Sequence, residues 1–127
     1  MSHAGDAFFL VETGQGIVFE SGASWTTTNG DLEFVANRGA STNTGDFRGF
    51  DGLNATIQTN GTGNILIEAT GGNTSDDQAI YLNNTDILST ASGATAGTIT
   101  LNGFSQGAGA GVRFLNGSLV DSVDGDI

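Results

Sequence analysis

Apolar residues return two apart in short bursts along this chain: Leu32 and Phe34 in GDLEFVA, Ile65 and Ile67 in GNILIEA, Ile99 and Leu101 in GTITLNG. Two is the period of a pleated strand, whose successive side chains point to opposite faces. Stripes spaced three and four residues apart, the mark of an amphipathic helix, are missing. Almost all regular structure is therefore predicted to be β.

The bursts themselves repeat. Aligning the glycine before each one gives Gly5, Gly30, Gly63, Gly97 and Gly125, at intervals of 25, 33, 34 and 28 residues. A second apolar strand recurs between them, in IVFESGASW, FRGFDGLNATI, AIYLNNTDIL and VRFLNGSLV, with Phe19, Phe50, Leu82 and Leu115 as markers 31, 32 and 33 residues apart. Two registers sharing one period point to a solenoid. A third, shorter strand is expected around Trp25, Ile57, Ile87 and Leu119. Tight hairpin signals are few, so equivalent strands of successive coils are expected to pair in parallel, about 4.8 Å apart, with like residues stacked.

The fold class predicted is all-β, a right-handed parallel β-helix of about four coils with a period of about 31–34 residues, its hand taken from the usual crossover rule. One stack is predicted to hold Phe8 or Phe9, Leu32, Ile65, Ile99 and Ile127, and another Phe19, Phe50, Leu82 and Leu115. Single-domain organisation over 1–127 is expected, with 1–4 as a tag or start remnant, 5–29 as a short first coil or cap, 30–62, 63–96 and 97–124 as coils, and 125–127 as the start of a truncated coil. The residue after each marker glycine is Asp6, Asp31, Asn64, Thr98 or Asp126, a column suited to a hydrogen-bonded polar ladder at a bend that glycine makes easy. Length variation falls in the polar, glycine-rich stretches 37–46, 71–78 and 104–111, which are predicted to line up along one edge.

Composition narrows the chemistry. The chain has 127 residues, 21 Gly, no Pro and no Cys, so neither disulfides nor thiolate metal sites hold it together. Fourteen acidic residues face only Arg38, Arg48 and Arg113, for a formal net charge of -11, and a phosphate backbone is repelled. Nucleic acid is not an expected partner. Charged residues make up 13 %, about half the roughly 25 % usual in globular domains, which suits an extracellular surface. No apolar run approaches the roughly 20 residues of a membrane span.

Candidate chemical sites are thin. GAGAGV at 107–112 has no lysine to meet a phosphate and reads as a loop. Asp76 and Asp77, and the trio Asp121, Asp124 and Asp126, offer oxygen ligands for Ca²⁺, but neither set has the spacing of a known calcium loop, so they read as solvated turn acids with Ca²⁺ as the alternative. No other cofactor is expected. Glu33 and Glu68, expected to stack one coil apart at about 5 Å, are the candidate carboxylate pair of a polysaccharide-cleaving enzyme. His3 reads as part of the start remnant. No catalytic, cofactor-binding or metal-binding residue is expected, and the chain is expected not to be an enzyme.

GDLEF, GNILIEATGG, AIYLNNTDILST, GTITLNG and LVDSVDGDI together resemble the repeats of filamentous-haemagglutinin-like adhesins and related autotransporter passengers of giant bacterial surface proteins. The resemblance covers nearly the whole chain and implies a right-handed parallel β-helix exported to the cell surface, with an extended structural or adhesive role. Expected partners are adjacent coils of a longer chain or a second copy stacked head to tail, and a glycan or host surface. The alternative class is a carbohydrate- or protein-binding module using the edge 37–46, 71–78 and 104–111.

Overall fold

The computed structural model describes residues 2–3, 7–38 and 42–127, the first pair by backbone alone. Among the described residues there are thirteen strands: β1 (Ser2–His3), β2 (Phe9–Thr13), β3 (Ile17–Phe19), β4 (Ser24–Thr27), β5 (Leu32–Ala36), β6 (Phe50–Leu53), β7 (Thr56–Thr59), β8 (Ile65–Thr70), β9 (Ile80–Asn83), β10 (Asp86–Ser89), β11 (Ile99–Phe104), β12 (Val112–Leu115) and β13 (Leu119–Ser122). They form three sheets, in the orders β2-β5-β8-β11, β3-β6-β9-β12 and β1-β4-β7-β10-β13. We call these sheets 1, 2 and 3. Every pairing is parallel and joins equivalent strands of neighbouring coils.

The parallel β-solenoid expected from the repeats is the observed fold. Four tiers of strands span about three full turns of the chain from β2 to β11, slightly fewer than the four coils expected. The stretch expected to be a start remnant contributes β1, whose Ser2 and His3 pair with Thr26 and Thr27.

In sheet 1 the register follows the alternation: Phe9, Leu32, Ile65 and Ile99 stack in one inward column, and Val11, Phe34, Ile67 and Leu101 in the next. Phe9, not Phe8, takes the first place, because Phe9 pairs with Leu32. Ala7 therefore stands opposite Gly30, and the expected marker Gly5, with its neighbour Asp6, lies outside the described residues. Phe8 occupies the column position assigned to Asp6.

Sheet 2 departs from expectation. Its inward columns are Ile17, Phe50, Ile80, Val112 and Phe19, Gly52, Leu82, Phe114, so the expected stack of Phe19, Phe50, Leu82 and Leu115 mixes both and ends on an outward residue. The cause is volume. A Cβ on Gly52 would come within 2.9 Å of Thr85 Cγ2 and 3.3 Å of Leu82 Cδ2, so Thr85 and Leu82 already occupy that space. Phe50, one position pair earlier, packs its ring 5.3 Å from Phe19 and 5.9 Å from Phe34. In sheet 3 the apolar column is Trp25, Ile57, Ile87 and Val120, with Val120 in the place expected for Leu119.

The core is one continuous cluster along the axis, aromatic in the first tiers and aliphatic afterwards. Phe9, Phe19, Trp25, Phe34 and Phe50 contact one another with centroids 4.2 to 6.4 Å apart. Such ring pairs add roughly 0.5–1.5 kcal/mol each beyond their buried area.

Candidate functional site

Three corners join the sheets, and each is built from a repeated polar device. Between sheets 3 and 1, Asp31, Asn64 and Thr98 make the expected ladder. Asp31 Oδ1 accepts from the Asn64 amide N–H and side-chain Nδ2 at 2.7 and 3.1 Å, and Asn64 Oδ1 accepts from Thr98 N and Oγ1 at 2.9 and 3.0 Å. The adjacent glycines are needed for space: a Cβ on Gly63 would strike Gly30 O, and one on Gly97 would strike Gly63 O. Neither has positive φ, so close approach of stacked backbones replaces the conformational freedom inferred from the sequence.

An inward hydroxyl column beside that corner escaped the sequence reading. Thr27, Thr59, Ser89 and Ser122 are in register. Thr27 Oγ1 donates to Gly30 O at 2.6 Å, and Ser89 Oγ donates to Gly97 O at 2.9 Å. A buried hydroxyl without such an acceptor would cost about 1–3 kcal/mol, so the column holds the bend by satisfying itself. Its only signal is a Ser or Thr two residues after the inward third-strand residue, Trp25, Ile57, Ile87 or Val120.

Between sheets 2 and 3 the turn is made by asparagine. Asn54, Asn84 and Asn116 have φ of 47°, 50° and 52°, the left-handed region that asparagine tolerates better than other side-chain-bearing residues. Their amides stack as well, with Asn84 Nδ2 donating to Asn54 Oδ1 at 2.8 Å and Asn116 Nδ2 to Asn83 Oδ1 at 2.7 Å.

The third corner, between sheets 1 and 2, carries the polar loops, and they stack along one edge as expected. Gln106 ties all three: its Nε2 donates to Asn43 O and Gly71 O at 2.8 and 3.0 Å. Buried Asn37 (φ 51°) accepts from Asn43 N at 2.6 Å and donates to Asn43 O at 2.9 Å. Ser105 Oγ donates to Asp77 O at 3.0 Å. Residues 39–41 of the first loop lie outside the described residues.

Asp77 departs from the reading as a solvated acid. Only 2 % of it is exposed, and Oδ2 accepts from Thr74 N and Oγ1 at 2.8 and 2.7 Å. Burial alone would raise its carboxyl pKa, but the bonds from the Thr74 hydroxyl and amide, with contributions from Asp46 and the Phe47 amide, outweigh it and hold it below the ordinary value. A carboxyl depressed by folding stabilises above its unfolded pKa, and that stabilisation is lost as pH falls through the lower folded value. Exchange of the Thr74 amide should therefore accelerate as pH drops below about 4, relative to intrinsic rates. Asp77→Asn should remove that acid step. An unchanged step in the variant would place the titrating group elsewhere.

The other acids disperse. Asp76 is exposed, and Asp124 Oδ2 accepts from Gly93 N at 2.7 Å. Among the described residues no three His, Cys, Asp or Glu side chains gather as metal ligands. Glu33 and Glu68 do not stack: Glu33 pairs with Leu66 and Glu68 with Val35, one column over. Glu68 is also engaged by Arg38 at 2.9 Å. The one-column offset is already contained in the glycine alignment, where Glu33 lies three residues after Gly30 and Glu68 five after Gly63.

The outer face of sheet 2 collects two of the three arginines around the only tyrosine. The Arg48 guanidinium lies 3.7 Å from the Tyr81 ring centroid, and that of Arg113 lies 6.0 Å away. Arg48 is fixed by Asp51 at 2.8 Å and by Gln78 Oε1 at 3.2 Å. Among the described residues the second Asp51 oxygen is buried without a hydrogen-bond partner. This face is a cation–π stack bracing the outside of the wall. Among the described residues no helix is long and apolar enough to cross a membrane.

Comparison with protein-family models, with curated proteins and with solved structures finds no match. The fold and the repeated corners therefore carry the functional argument.

Proposed function

We propose that this chain is a structural segment of a bacterial extracellular or cell-surface protein, a rigid β-solenoid whose work is length and display. The observation that carries the reading is the running of three in-register ladders along one axis, each with its own corner column. A coil in such a structure contacts only its neighbours, so coils add length and stability step by step. Adhesive use and export follow from the likeness of the repeats to filamentous-haemagglutinin-like surface proteins, and from a surface rich in hydroxyl and amide groups.

An in-frame duplication of residues 63–96 tests the rod. One added tier should lengthen the particle by about 4.8 Å in small-angle scattering and raise the unfolding midpoint. A variant that loses its β signal or gains no length would refute independent, additive coils. Surface labelling of cells producing the chain in its natural context tests the location. A labelled cytosol with an unlabelled surface would refute it.

A second reading, a binding module for a glycan or protein, is favoured by the loop edge. Gln106 welds the three loops into one ridge of exposed polar groups, and preorganisation of that kind lowers the entropy cost of binding. A glycan array separates the two: binding lost in Gln106→Ala supports the module, and no binding supports the plain rod.

A further inference from the structure

Arginine is scarce in this chain, and its placement is uneven. Of the three, Arg38 is paired with Glu68 beside sheet 1, whereas Arg48 and Arg113 both lie over Tyr81 on the outer face of sheet 2. The register puts Asp51, Tyr81 and Arg113 in one outward column, so Arg48, tied to Asp51, and Arg113 flank the ring from opposite tiers. The face is lateral. Its outward side chains stay exposed however many coils the stack contains.

The two guanidinium groups are used differently. Arg48 gives Nη1 to Asp51 Oδ2 at 2.8 Å and Nε to Gln78 Oε1 at 3.2 Å, which fixes its position and neutralises its charge. Arg113 is exposed, and among the described residues no acid pairs with it. The half-buried Tyr81 offers its hydroxyl, which also has no hydrogen-bond partner among the described residues. Two residues further on the same face, Asn83 Oδ1 accepts from Asn116 Nδ2 at 2.7 Å, so the side-chain N–H groups of Asn83 are left to donate elsewhere. Leu115 pairs with Asn83 in register and forms a half-buried apolar ledge next to Arg113.

A guanidinium fork, a phenol hydroxyl and an amide therefore stand open beside an apolar ledge. The fork of an arginine matches a planar carboxylate, which accepts two parallel N–H bonds, and a ring beneath a guanidinium holds such a fork in place. The hydroxyl and the amide match the hydroxyls of a sugar, and the ledge matches its C–H face. An inorganic anion would engage the fork and leave the other three groups idle. We infer that the outer face of sheet 2 binds a uronate residue of an acidic polysaccharide. Arg113 takes the carboxylate, Tyr81 and Asn83 take ring hydroxyls, and Leu115 lies against the ring.

The net charge of -11 does not forbid this. At about 0.1 M salt, charges more than roughly 10 Å from the bound carboxylate are largely screened. The acid in the same column, Asp51, is already neutralised by Arg48. That ion pair thus serves the site twice, by holding Arg48 against the ring and by keeping Asp51 from opposing the ligand.

Titration of the isotope-labelled chain with oligogalacturonate, and with an uncharged galactose oligomer, reads the site through its amide resonances. Shifts around Tyr81, Asn83 and Arg113 should saturate with the uronate oligomer and be absent with the neutral one. Arg113→Gln, at an exposed position, should keep the β signal and bind about tenfold more weakly or worse, the size of losing a hydrogen bond to a charged group. Tyr81→Phe keeps the ring under Arg48 and should weaken binding about threefold, the size of one neutral hydrogen bond. Gln106→Ala, which breaks the loop ridge, should bind the oligomer unchanged. A chain that shows no shifts on sheet 2, or an Arg113→Gln variant that binds equally well, overturns the site and leaves the rod standing. Binding abolished by Gln106→Ala also overturns it and moves the ligand to the loop edge. Equal shifts with inorganic sulfate overturn the uronate assignment.

Discussion

Gly97→Val should abolish cooperative folding or lower stability by about 4 kcal/mol or more, in the tail of single-substitution effects that requires a named mechanism. The mechanism is close approach. A Cβ at this position would overlap Gly63 O, a backbone atom that cannot rotate away as the end of a side chain can. Moving the two coils apart would break the Ile65 N to Thr98 O bond at 2.8 Å and the Thr98–Asn64 ladder together. Chemical denaturation with far-UV detection measures the effect. Thr95→Val, on an exposed neighbouring loop position, is the control and should stay within about 0.5 kcal/mol. Equal behaviour of the two variants would show that the glycine column does not set the coil spacing.

Phe34→Ala should cost about 3–5 kcal/mol, the range for deleting a buried aromatic side chain. Phe34 has no exposed surface and touches Phe9, Phe19, Trp25 and Phe50, so its loss opens a cavity shared by three sheets. With a few degrees per kcal/mol for a chain of this size, the thermal midpoint should fall by about 10–15 °C. Val35, its neighbour on the opposite face of β5, is the comparison site. It is also buried, but it stands outside the aromatic cluster, and Val35→Ala should cost less than half as much. Thermal scans of both variants decide the matter. Similar midpoints would mean that the aromatic cluster adds nothing beyond ordinary burial.

The polar corners differ in how readable they were, and the difference is instructive. The Asp31, Asn64 and Thr98 ladder could be anticipated because each residue follows a glycine at a constant place in the repeat. The hydroxyl column of Thr27, Thr59, Ser89 and Ser122 was hidden among many Ser and Thr residues, since little but its place in the repeat distinguishes a hydroxyl that meets a corner carbonyl from one that meets water. Asp77 reads as an ordinary loop acid for the same reason. Its burial depends on Thr74 folding back over it and on the neighbouring loop supplying Ser105.

The amino-acid sequence by itself determined the strand character, the parallel coil-on-coil pairing, the sheet 1 columns and the edge along which insertions collect. These follow from alternation and period, which are local quantities, and from glycine and asparagine placed where backbones must crowd or bend. Only the tertiary structure decided which residues share a column on sheet 2 and why Phe9 and not Phe8 faces the core. Those choices depend on the volume left between coils, as where Thr85 and Leu82 fill the space above Gly52, and on loop lengths that shift one strand against the next. A shift of one residue turns a side chain from the core to the surface. Such a shift is set by packing through space, and it leaves the alternation along the chain unchanged.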